Sequence, residues 1–231
     1  RKAPAPQVQY LTVRLALRAP QWAHAAQTIE SLRTDPAVMR LPGLVIQLNL
    51  LLAACFNKLA DPVAEEQAYQ RVTSADPKNV TARVGLGNLY LNLGRFDAAA
   101  RELEGGLQSP YATGTVVTQW VKLKSRLLAP GSAEWPKVEG ATVALAPRFA
   151  RDSSEPLILR ADVMAAQGRL PEAVKMLRLE SVRRAADAHL WSALAQMTAD
   201  LHGCAAGLAI LDEGQASAGD CADIRLARAA L

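Results

Sequence analysis

The sequence predicts an all-α chain in which antiparallel helix hairpins stack into a solenoid. The leading observation is a phrase that returns at a fixed distance. Leu86-Gly87-Asn88-Leu89-Tyr90, Leu93-Gly94-Arg95-Phe96-Asp97, Ala99 and Leu103 are echoed 74 residues later by Ala161-Asp162-Val163-Met164, Gln167-Gly168-Arg169-Leu170, Ala173 and Leu177, and 74 is one interval of 34 plus one of 40. Self-similarity near 34 residues marks a helical repeat array. Composition agrees: 50% of the residues are hydrophobic but only 5% aromatic, with Ala and Leu carrying most of the apolar load, as closely packed helices require. No run of alternating Val, Ile and Thr is long enough for a strand.

Taken in order, residues 7–36 read as a first pair, with helices over Val8 to Arg18 and Trp22 to Leu32 closed by Thr34-Asp35-Pro36. Residues 42–79 form the second, in which Leu52, Ala53, Phe56 and Leu59 share one face, Pro62 opens the second helix, and Tyr69 and Val72 point inward. Asp76-Pro77-Lys78-Asn79 is a turn phrase. The third pair, 80–113, is the strongest. Its first helix runs from Val80 to about Leu93 and carries Leu86, Leu89, Tyr90 and Leu93 at three- and four-residue steps; Gly94 ends it, Asp97 is expected to cap the second helix, and Pro110 closes the unit.

Residues 114–153 make a longer pair holding Trp120 and Trp135, extended around Pro130-Gly131-Ser132 and Arg151-Asp152-Ser153. Pairs 154–187 and 188–221 follow, and 222–231 begins an incomplete unit. The repeat phase sets up three columns. Ala53, Gly87, Ala161 and Ala195 stay small, so that paired helices can approach closely, with Ala99 as the complementary small residue opposite Gly87. Leu52, Leu86 and Leu194 are interrupted by Arg160, and Phe56, Tyr90, Met164 and Thr198 decay toward the C-terminus. Glu65 stands where a small residue is expected.

These residues resemble the tetratricopeptide repeat family, whose signature combines a Trp, a Leu-Gly pair, a Tyr, an Ala, a Phe and a closing Pro. Leu86-Gly87, Tyr90, Ala99 and Pro110 carry the resemblance, Arg83 occupies the Trp position, and Trp191 restores it later, before Leu194-Ala195. The resemblance implies a right-handed superhelix whose concave wall is built by the first helix of each pair. Residues on those helices outside the apolar face are then the expected partner-binding set: Thr81, Val84, Asn88, Leu91 and Asn92; Thr118, Lys122, Ser125 and Arg126; Ile158, Asp162, Ser192 and Gln196. Asn88 matches the asparagine with which chaperone-tail-binding relatives hold a peptide carboxylate. Val84 and Leu50 replace the basic residues of that clamp, so a mixed polar and aliphatic groove for an extended or helical peptide is the better expectation.

Other functions find little support. Lys and Arg are scattered among 22 acids despite a formal charge of +4, without a basic stripe or interleaved aromatics, so no nucleic-acid partner is expected. The most apolar stretch, Leu41 to Phe56, is shorter than a bilayer span and contains Gln47 and Asn49; it reads as a buried helix, and no direct membrane insertion is expected. Gly85-Leu86-Gly87 lacks the third glycine of a dinucleotide loop and lies within a helix. His202-Gly203-Cys204 with Cys221, Asp200, Asp220 and Asp223 lacks compact zinc-ligand pairs. Gly203 is expected to end a helix, Cys204 to sit at a helix contact and Cys55 to act as a small core hydrophobe. His24 and His189 join no triad.

The reading is thus a noncatalytic scaffold with no cofactor and no metal, which binds a protein or peptide partner and orders an assembly. Two further readings stay open, a periplasmic scaffold of a bacterial envelope or exopolysaccharide-export machine and the regulatory or substrate-positioning domain of a larger enzyme. The opening Arg1-Lys2-Ala3-Pro4-Ala5-Pro6 and the close inside a helix lead us to expect a fragment or processed product.

Overall fold

The computed structural model describes residues 21–231. Among these, thirteen α-helices and one short 3-10 turn account for the regular structure, and no strand occurs. The chain divides between Ala112 and Thr113 into two compact units, at the junction between the predicted pairs 80–113 and 114–153. The predicted helix over Val8 to Arg18 lies outside the described residues.

In the first unit, α1 (Trp22–Arg33) and a single turn, α2 (Pro36–Met39), precede two hairpins: α3 (Pro42–Lys58) with α4 (Pro62–Ala75), and α5 (Val80–Asn92) with α6 (Phe96–Leu107). The second unit holds α7 (Gly114–Leu127) with α8 (Trp135–Ala144), α9 (Glu155–Ala166) with α10 (Leu170–Arg183), α11 (Ala188–His202) with α12 (Cys204–Ala218), and α13 (Ala222–Ala230). Within it α7 lies against α9, and α11 against α13.

Local chemistry explains the boundaries. Asp61 accepts the Ala64 N–H at 3.0 Å, Asn79 accepts that of Ala82 at 3.1 Å, and Asp187 accepts those of His189 and Leu190, so α4, α5 and α11 each begin on a capping side chain. Asp35 does the same for α2, which is why Pro36 opens a helical turn instead of simply ending the first pair. Asp97, by contrast, is not the cap of α6. Arg95 occupies that position without a side-chain bond, and Asp97 lies inside the first turn, where its carboxylate meets the positive end of the helix.

The hairpin turns repeat in atomic detail. The N–H groups of Asp61, Arg95 and Arg169 reach back to the carbonyls of Phe56, Tyr90 and Met164 at 3.0, 2.8 and 2.9 Å. This closure needs a left-handed residue just before the donor. Gly94 (φ 70°) and Gly168 (φ 82°) supply it in two units, and Ala60 is forced to the same conformation (φ 54°) in the third.

The small column is buried throughout: Ala53, Ala161 and Ala195 are wholly inaccessible, and Gly87 is buried. A Cβ on Gly87 would stand 3.0 Å from the Leu103 side chain and 3.7 Å from the Ala99 carbonyl, so the closest partner is Leu103 and not the side chain of Ala99. Arg160 is exposed, as a charge in the Leu52, Leu86 and Leu194 column must be. Glu65 is buried at the position of a small residue, and Asn57 donates to both of its carboxylate oxygens at 3.2 Å. Burial raises the Glu65 pKa, and the Asn57 hydrogen bond partly opposes the shift.

Arg83 shows how a family position can change residue and keep its bond. Trp191 Nε1 donates to the carbonyl of Ala185, six residues earlier, at 2.9 Å. Arg83 Nε donates to the carbonyl of Pro77, also six residues earlier, at 3.0 Å, while its Nη1 meets Glu102 at 2.6 Å. Cys55 is fully buried and its thiol is pushed up to about 11 by burial, as befits a core residue. Cys204 is exposed, not at a helix contact, because Gly203 (φ 92°) turns the chain so that Cys204 opens α12 at the surface.

Relief of the Ala60 strain is directly measurable. An L-residue in the left-handed region costs about 1–2 kcal/mol, of which the extra chain entropy of glycine returns part, so Ala60→Gly should raise stability by about 0.5–1 kcal/mol in urea unfolding. A loss of stability would show that the three turns are not equivalent.

Candidate functional site

The first helices carry two groups of exposed side chains, one in each unit. In the first unit, Thr81, Asn88 and Asn92 are exposed on α5, and Val84 and Leu91 are partly exposed beside them. All five thus lie off the buried face that Ala82, Leu86, Leu89 and Tyr90 present to the core.

In the second unit, Lys122 and Arg126 are exposed on α7, Thr118 and Ser125 are half-buried, and Asp162 is half-buried on α9. Thr118, Lys122 and Asp162 come together with Glu155. The Thr118 hydroxyl donates to its own helix at Gly114 O (3.1 Å) and to Glu155 Oε1 (3.3 Å). Burial pushes the Asp162 carboxyl up to about 6; the Lys122 charge pulls it down and the Glu155 charge pushes it further up. Gln196 bonds instead to Asp200 on its own helix, at 3.1 Å.

Ile158 and Ser192 lead to a groove. They line a cavity of about 950 Å³ in the second unit, open along the N-terminal halves of α9 and α11 and along α13. Ile158, Leu226, Ala227 and Ala230 supply apolar lining, and Asp152, Glu155, Asp187 and Asp223 supply carboxylates. Leu226, on the lining of this groove, is 69% exposed. The Ser192 hydroxyl is withdrawn from solvent and has no hydrogen-bond partner.

Repeat geometry places these side chains together. Glu155, His189 and Asp223 are spaced by 34 residues, as are Ile158, Ser192 and Leu226, so three consecutive first helices offer the same two positions to one wall. Sequence reasoning took Val84, Thr118, Ile158 and Ser192 from the second of these columns but missed Leu226, and it took only Thr81 from the first. The signal was the 34-residue step itself, carried one unit further into residues 222–231.

The groove does not form a catalytic relay. Cys221, His189 and Asp223 all line it, but His189 Nδ1 is 4.0 Å from Asp223 and no hydrogen bond ties Cys221 to the imidazole. Among the described residues, no three His, Cys, Asp or Glu side chains are grouped to hold a metal ion. Nor is any helix there long and apolar enough to cross a membrane.

Residues 66–110 match the family model described as tetratricopeptide repeat, which here runs from within α4 to Pro110. The structure is similar to that of a tetratricopeptide repeat protein from Parabacteroides merdae, with a TM-score of 0.68 at 14% identity, covering 96% of this chain and 84% of that one. It is also similar to PilW, a type IV pilus biogenesis factor (TM-score 0.56, 14% identity, 97% and 98% covered). A third likeness is to YrrB, a tetratricopeptide repeat protein with an unusual peptide-binding site (TM-score 0.50, 15% identity, 79% and 91% covered). No curated protein matches the sequence. The chain is a protein of the tetratricopeptide-repeat fold, with the repeat signature itself carried by residues 66–110.

The Asp162 carboxyl makes stability depend on pH with a defined sign. Its pKa is raised in the folded protein from 3.8 to about 6, so its contribution is fully present below pH 3.8 and is lost as pH rises through about 6. Asp162→Asn should therefore gain about 1–2 kcal/mol on the wild type between pH 4 and pH 7, the full linkage being reduced by partial solvent access. A difference that is flat with pH would contradict this environment for Asp162.

Proposed function

We propose that the chain is a noncatalytic scaffold that holds a protein or peptide partner on its first-helix walls, with the groove of α9, α11 and α13 as the principal seat. The observation that carries this reading is the groove itself, where three successive repeats present equivalent positions to one open channel with an apolar lining. An extended or short helical segment laid across these helices would meet one pair of such positions per repeat. Leu226 and Ile158 would anchor it through apolar contact, and the Ser192 hydroxyl would gain a hydrogen bond that it lacks within the chain.

The other expected residues extend this wall. Thr118, Lys122, Ser125, Arg126 and Asp162 continue it along α7 and α9, with Gln196 on α11, while Thr81, Val84, Asn88, Leu91 and Asn92 form a further wall in the first unit. The peptide-binding site of YrrB supports the reading as a precedent within the same fold. A second reading, an assembly factor of the bacterial envelope, is favoured by the likeness to PilW, since the two chains match over nearly their whole lengths. The two readings are compatible, because an assembly factor also works by holding partners.

Site-specific photo-crosslinking in the host cell tests the reading. A benzophenone amino acid at position 226 or 192 should yield a discrete adduct with a partner, whereas one at Val182, an exposed position on a second helix, should not. Adducts from position 182 with none from 192 or 226 would move the interface off the groove.

A further inference from the structure

The chain as a whole is basic, with a formal charge of +4, yet the groove is lined by acids. Asp152, Glu155, Asp187 and Asp223 contribute four carboxylates, and neither Lys nor Arg is among the residues that line it. Resting on the scaffold reading above, we propose that its occupant is an amphipathic segment bearing Lys or Arg beside apolar side chains. The groove selects it by charge and holds it by apolar contact.

Helix capping does not explain this charge away. Asp187 does cap α11, and Glu155 and Asp223 lie in the first turns of α9 and α13, where a carboxylate offsets the helix dipole. Each helix N-terminus, however, is equivalent to only roughly half a positive charge, so three of them neutralise fewer than two of the four carboxylates. Asp152 precedes Ser154, the residue at the N-cap position of α9. His189, 4.0 Å from Asp223, is the only side chain of the lining that could carry positive charge. The groove is therefore net negative against a net positive molecule, and a field of this sign draws cationic segments while repelling acidic ones.

The apolar part decides the rest of the chemistry. A polycation alone would leave Leu226, 69% exposed, and Ile158 uncovered. A segment with basic residues alternating with aliphatic or aromatic ones satisfies both parts. The charge preference is opposite to that of a carboxylate clamp, which needs cations where this lining has acids.

Selection from a random library of 12-residue peptides displayed on phage tests the proposal, with the full chain as target and Ile158→Ser/Leu226→Ser as the counter-target. Circular dichroism melts would establish that the variant is folded. Peptides retained by the wild type and lost on the variant should be enriched in Lys and Arg over the starting library. The affinity of the best of them should fall about tenfold on Glu155→Gln/Asp223→Asn and weaken as salt is added.

Groove-dependent peptides without a basic bias, or enriched in Asp and Glu, would overturn the cationic occupant while leaving the groove as the binding site. Peptides that bind wild type and counter-target equally would overturn the groove reading as well. Sedimentation of the wild type should show no groove-dependent dimer. A dimer abolished by Leu226→Ser would seat a second copy of the chain in the groove and overturn the proposal.

Discussion

Close approach of the two helices in a hairpin is the constraint from which the other features follow. Where Gly87 packs on Leu103, even a Cβ added to the glycine would stand 3.0 Å from the Leu103 side chain, which would have to shift to admit it, and the equivalent Ala53, Ala161 and Ala195 are small and wholly buried. Fixing one small residue at the crossing fixes the phase of the first helix, since 3.6 residues per turn then determine which side chains face the partner helix and which face away. Leu86, Leu89 and Tyr90 are buried with Gly87, whereas Thr81, Asn88 and Asn92 remain outside. The exposed wall of the first helices is thus a by-product of the packing contact.

The same phase carried through successive units turns a local arrangement into a surface. Three first helices in the second unit place Glu155, His189 and Asp223 in one row and Ile158, Ser192 and Leu226 in another. Residues in such rows contribute little to the core and are free to vary in chemistry, which is how an acid-lined groove can arise on a basic chain. Core positions behave differently. When Arg83 replaces the family Trp, it preserves the bond to the carbonyl six residues back, and buried Glu65 is met by Asn57, because an unpaired polar group there would be costly.

Much of the fold was legible in the sequence because repeats state the same information several times. The 34-residue step pointed to an all-helical repeat, and the small column and the helix-ending Gly94 emerged without any structure. The exceptions have physical causes. Asp97 looked like a cap because capping residues and first-turn acids are drawn from the same residue types, and only the backbone distinguishes their positions. Cys204 looked packed because the path of the chain after Gly203 depends on a positive φ that residue type permits but does not require. Ala60 in the left-handed region carried no signal at all, since only its neighbours' hydrogen bonds impose that conformation. For the site, Ile158 and Ser192 were reached as first-helix residues outside the apolar face, but the groove's charge depends on Glu155 and Asp223, which that choice does not connect.

Chemical denaturation of Gly87→Leu, beside Asn88→Leu as a control one residue away, tests the dependence on close approach most directly. The buried substitution should cost about 1–3 kcal/mol or more through overpacking against Leu103, while the exposed one should change stability by less than about 0.5 kcal/mol. Equal stability of Gly87→Leu and the wild type would contradict the close contact, and with it the phase that assigns every wall residue.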